Sequence, residues 1–112
     1  MFSFRPAGPL ARLPPPPPPQ ASYDRNEAKQ LIEAQTNCFT REAQSKSLVN
    51  VDLETAALAV QARCAAETHR FKLFSAQHTP ESVPQFEARW RRNEADDLQF
   101  IRQALALVRT SK

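Results

Sequence analysis

One glycine, Gly8, stands in the 112 residues of the chain. Tight hairpin turns lean on glycine or Asn-Gly pairs, so this scarcity argues against a sheet protein with many turns. No apolar run comes near the ~20 residues that a membrane-crossing helix requires. The N-terminus also lacks the apolar stretch of a secretory signal. Met1-Phe2-Ser3-Phe4 is cut off by Arg5 and Pro6, and Leu10-Ala11-Arg12-Leu13 is too short. There is no Cys-x-x-Cys, no G-x-S-x-G, no phosphate loop and no glycine-rich dinucleotide fingerprint. These gaps leave no catalytic residue to nominate and no cofactor to expect. Read as it stands, the chain is a cytoplasmic protein and not an enzyme.

What is present is unevenly distributed. Eight of the ten prolines, the glycine and no acidic residue fall in residues 1–22. That stretch reads as a disordered tail ahead of a helical domain over residues 23–112. The net charge of +3 shrinks on inspection. Arg5 and Arg12 belong to the tail, which leaves 13 basic against 12 acidic side chains in the remainder. The clustered basic face of a phosphate-backbone binder is missing, so nucleic acid is a disfavoured partner. Pro14 to Pro19 is an unbroken run. Proline fixes φ and has no N–H, so the run is a polyproline II rod of about 19 Å at ~3.1 Å per residue. It serves as a spacer or as a docking peptide. Arg12, Leu13, Pro15 and Pro18 carry the basic and proline spacing of SH3, EVH1 or profilin ligands.

The remainder predicts three helices, near 23–45, 53–75 and 83–109. Ser22 is the expected cap of the first, whose apolar positions are Ala28, Leu31, Ile32, Cys38, Phe39 and Ala43, interrupted by Gln35 and Glu42. Asn50 or Asp52 is expected to cap the second, with a stripe of Leu53, Ala57, Val60, Cys64 and Phe71 flanked by Leu58, Ala65 and Phe74. Ser82 and Gln85 have capping-box spacing at the start of the third, and Pro84 is tolerated in its first turn. Its stripe is Phe86, Trp90, Ile101, Leu105 and Val108. Short connections imply an all-α fold, a small antiparallel three-helix bundle made of a helical hairpin plus a third helix.

Cys38 and Cys64 are the most informative pair. Their midpoint is residue 51, in the connection between the first two helices, so an antiparallel hairpin sets them level on facing stripes. A disulfide needs Cα atoms about 4.4–6.8 Å apart, closer than the ~8–10 Å between packed helix axes. The alanines around Cys64 make that approach feasible. Closing this loop stabilises by about 3.5 kcal/mol in the chain-entropy model. Two buried free thiols are the competing reading.

Asn37-Cys38-Phe39 and the run Ala56-Ala57-Leu58-Ala59-Val60 leading to Ala62-Arg63-Cys64 resemble the small helical two-cysteine proteins of proteobacteria. Those proteins are often exported and usually begin with a signal peptide. The resemblance covers about forty residues and implies no activity. A bond between the two cysteines would itself imply an oxidising compartment, and so a periplasmic or secreted location if the true start lies upstream of Met1.

The remaining chemistry-bearing residues read mostly as scaffold. Cys38, Cys64, His69 and His78 lack the short local spacings of a zinc site, so no metal is expected. His69 reads as a helix residue at the surface and His78 as a loop residue. Glu94, Asp96 and Asp97 read as a solvated face, with Glu87–Arg91 and Arg92–Asp96 pairs one turn apart and Glu42–Lys46 likewise. Arg89-Trp90-Arg91-Arg92 offers a weaker nucleic-acid alternative, by stacking and neutralisation. The first expectation for function is a non-enzymatic helical protein with a structural or protein-binding role. Its contact or self-association surface would be Phe86, Trp90, Ile101 and Leu105. The second is an adaptor that docks through its proline tail.

Overall fold

The structure is a computed structural model that describes residues 24–111. The proline-rich stretch, with Arg12, Leu13, Pro15 and Pro18, lies outside the described residues. Among those described, all regular structure is helical: α1 (Arg25–Ala43), a 3-10 turn (Lys46–Leu48), α2 (Leu53–Arg63), α3 (Ala65–Gln77) and α4 (Val83–Thr110). No described helix is long and apolar enough to cross a membrane.

Local chemistry sets the helix starts. Asp24 caps α1, its carboxylate accepting from the Asn26 and Glu27 amides at 2.9 and 3.2 Å. The start therefore falls two residues after the expected Ser22, because a carboxylate there meets the orphan N–H groups and the helix dipole together. Asp52 caps α2 through the Thr55 amide at 3.0 Å. That contact, with the Arg109 guanidinium adding to it, holds the Asp52 carboxyl below its usual range. Ser82 and Gln85 close the capping box of α4, with Pro84 in the first turn.

The second predicted helix is not continuous. Cys64 separates α2 from α3, with φ −102° and ψ 17° in the bridge region. Hydrogen bonding continues across the joint: the Cys64 amide donates to the Val60 carbonyl and the Thr68 amide to that of Cys64, both at 3.1 Å. Neither glycine nor proline, the usual causes of a kink, is nearby. The joint falls at the residue bonded to Cys38, the two Cα atoms lying 5.9 Å apart.

The core joins Cys38, Phe39 and Ala43 of α1 to Leu48, to Ala56, Ala57, Val60 and Cys64, and to Ile101 and Leu105 of α4. The alanines let α2 approach closely, as their small size suggests. Some expected core positions face outward: Ile32, Leu58 and Ala65 are exposed, while Ala56, outside the predicted stripe, is fully buried. A second apolar group fills the other end. Trp90 packs on Phe71 and Phe86, with ring centroids 5.6 and 5.9 Å apart, and Phe74 is buried nearby in the chain.

Candidate functional site

The candidate site is the seam where α1, the α2–α3 joint and α4 meet. The sulfurs of Cys38 and Cys64 lie 2.07 Å apart, at bonding distance, and each residue is at most 1% exposed. That burial decides what the pair can do. Thiol–disulfide exchange needs an attacking thiolate to reach a sulfur, and this pair offers no approach while the chain is folded. Its chemistry is that of a brace.

One helical turn along the seam sits a polar node. Gln35, on the buried stripe of α1, donates its side-chain amide to Thr68 Oγ1 at 2.9 Å and to Asp97 Oδ2 at 3.1 Å. Three helices thus share one amide. Burial pushes the Asp97 carboxyl up to about 6. The Gln35 hydrogen bond opposes that rise, and Asp96 and Glu94 add to it. Asp97 is therefore not part of a fully solvated face as its sequence neighbourhood suggests; Glu94 and Asp96 do stay exposed. The signal that pointed here was Gln35 itself, a polar residue on an apolar stripe three positions before a cysteine.

At the connection, Glu42 turns to Arg63 at 3.4 Å instead of to Lys46, and Arg63 also donates to Ser45 and Ser47 at 3.2 and 3.0 Å. Arg109 reaches back from the end of α4 to donate to the carbonyls of Leu48 and Val51. Arg102 forks onto Glu54. Glu87 pairs with Lys72 at 3.5 Å, across to α3, where its sequence spacing had suggested Arg91.

The expected contact surface is internal. Phe86, Trp90, Ile101 and Leu105 are all buried against the chain's own helices, so this stripe is core and not a docking face. The basic run is likewise committed in part. Trp90 is 2% exposed and presents no face for a base to stack upon. Arg89 holds Glu81 at 2.9 Å, reaches Thr79 and lies 5.1 Å from the Phe86 ring centroid. Arg91 and Arg92 remain exposed. His69 is exposed on α3, and His78 follows the last turn of that helix, its ring Nδ1–H donating to the Phe74 carbonyl at 2.8 Å.

Large apolar residues are exposed at several places, Ile32, Val49 and Leu58 among them, and two further groups line grooves. One is a groove of about 380 Å³ between α3 and the start of α4, floored by Leu73, Ala76, Val83 and Phe86 and rimmed by His69, Lys72 and Glu87. The other, of about 320 Å³, lies between α1 and the second half of α4 and includes Phe100, Ala104, Leu107 and Val108. Val83 and Leu107 are 74% and 70% exposed. Sequence periodicity had placed neither groove, because the residues lining them fall at the margins of the buried stripes.

No family model, no curated protein and no solved structure matches this chain.

Proposed function

We propose that the chain is a non-enzymatic helical protein with a structural or protein-binding role, built as a helical hairpin braced by Cys38–Cys64 with a long third helix laid antiparallel along its second arm. Three cross-connections support that topology: Gln35–Thr68, Cys38–Cys64 and Glu42–Arg63 all straddle the same stretch of chain around Val51. Glu54–Arg102 and Lys72–Glu87 do the same for the return of α4. The observation that carries the functional reading is the pairing of a committed interior with apolar residues left outside. The stripe of α4 is consumed within the molecule, while Val83 and Leu107 stand mostly in solvent. Bonded cysteines further favour an oxidising compartment.

Photo-crosslinking from positions 83 and 107 in the native source tests the role, with position 96 as the solvent-facing control. The expected result is one defined protein adduct from at least one apolar site and none from the control. A protein that crosslinks nowhere, or equally from all three sites, overturns the reading. Blocking thiols at the moment of lysis tests the compartment: Cys38 and Cys64 should resist alkylation until a reductant is added.

A further inference from the structure

We propose that the groove between α3 and α4 is a polyproline-binding surface whose occupant is this chain's own Pro14–Pro19 run. The inference rests on the protein-binding reading above and goes further by naming the ligand. Four observations carry it.

The first is position. Gln35 sits level with Thr68, and α1 extends back to Asp24 while α3 extends forward to Gln77. At ~1.5 Å rise per residue the two spans are of similar length, so the chain enters α1 at the end of the molecule where α3 stops and α4 begins. The groove formed by Leu73, Ala76, Val83 and Phe86 is at that end.

The second is reach. Pro14 to Pro19 stand five to ten residues before Asp24. At about 3.4 Å per residue that is a maximum span of roughly 17–35 Å. Passing around two packed helices requires about 20 Å, since each is ~10 Å across. Pro19, at about 17 Å, falls short of the groove, Pro17 and Pro18 arrive only near full extension, and Pro14 to Pro16 arrive with slack.

The third is chemistry. A polyproline II segment loses little entropy on docking to an apolar surface because the rod is already formed. The groove exposes Leu73, Ala76 and Val83 over a backing of Phe86, which is 7% exposed and stacked against Trp90.

The fourth is charge. Residues 1–22 carry Arg5 and Arg12 and no acidic side chain. Glu87, on the groove rim, is engaged only by an exposed 3.5 Å pair with Lys72, which can be exchanged for Arg12 two residues ahead of the run. The second groove, at Phe100 and Leu107, lies toward the opposite end of α4, away from where the tail leaves.

Methyl and amide spectra of the full chain test the proposal. The comparison is with a full-length variant in which Pro15, Pro16 and Pro18 are replaced by Ser, and with Leu73→Gln, an exposed position where a good helix former is tolerated. In the native chain the Leu73 and Val83 methyl groups should shift relative to the proline variant, independently of protein concentration. Tail amides of Leu13 and Gln20 should gain mobility in both variants. A synthetic peptide of residues 9–22, added to the proline variant, should restore the native Leu73 and Val83 positions. Identical groove methyl positions with and without the prolines would overturn the proposal. So would a shift that grows with concentration, which would make a second copy the occupant. Loss of a crosslinked partner with these spectra unchanged would strike the general binding role and leave the groove assignment intact.

Discussion

Asp97 shows how one residue can be read wrongly from its neighbours and rightly from its surroundings. Beside Glu94 and Asp96 it looks solvated, yet it is partly buried and its carboxyl is raised from 3.8 to about 6. The sign of the consequence follows from proton uptake. Between about pH 4 and 6 the folded chain holds a proton on Asp97 that the unfolded chain has released, so stability falls as pH rises through that window and levels off above it. The ionised, half-enclosed carboxylate is thus a liability at neutral pH. Asp97→Asn keeps an acceptor for Gln35 and removes the charge. After allowing for solvent screening, it should stabilise the protein by on the order of 1 kcal/mol at pH 7.5 and by nothing measurable at pH 4. Urea unfolding at the two pH values checks this, and an equal effect at both would mean that charge burial is not the cause.

At the scale of elements, Arg109 ties the end of α4 to the connection between α1 and α2. Its guanidinium donates to the carbonyls of Val51 and of Leu48, the latter also accepting from the Val51 amide at 3.2 Å. Removing a charged donor from such groups costs about 1.5–3 kcal/mol. Arg109→Ala should fall in that range by thermal unfolding, and should speed amide exchange at 48–52 more than at 86–90. Arg109→Lys should recover only part of the loss, because one ammonium cannot reproduce the planar fork.

The same contact marks where sequence reasoning stops. Helix existence was legible from the three-and-four spacing, and the starts at Asp52 and Ser82 from capping chemistry, since both signals are local. The register of the cysteines was legible because equal distance from a turn is simple geometry. The break at Cys64 was not, because α2 and α3 read as one good helix with neither glycine nor proline at the joint. The contacts of Arg109 were out of reach as well, because its partners are about sixty residues away. The direction in which the α4 stripe faces was also out of reach. A wide apolar stripe looks the same in sequence whether it covers a partner or the chain's own core.

For the whole molecule the central question is how the brace opens. Cys38 and Cys64 are at most 1% exposed, so reduction must wait for an opening of the chain. Two openings compete. Global unfolding exposes the whole interior, and its frequency rises steeply with urea in proportion to the surface released. Fraying at the Cys64 joint exposes little surface, so its frequency is nearly independent of urea. The joint keeps the hydrogen bonds on both sides of Cys64, and the Gln35–Thr68–Asp97 node clamps the adjacent turn. Global unfolding should therefore dominate. The rate of reduction by excess dithiothreitol should climb with urea with a slope close to the equilibrium m-value. Gln35→Ala releases the clamp and should add a phase that does not respond to urea. The double variant Cys38→Ala with Cys64→Ala should lose about 3.5 kcal/mol, the loop-closure entropy of the span. A flat dependence of the native rate on urea would place the weak point at the joint and make the bond a locally accessible one.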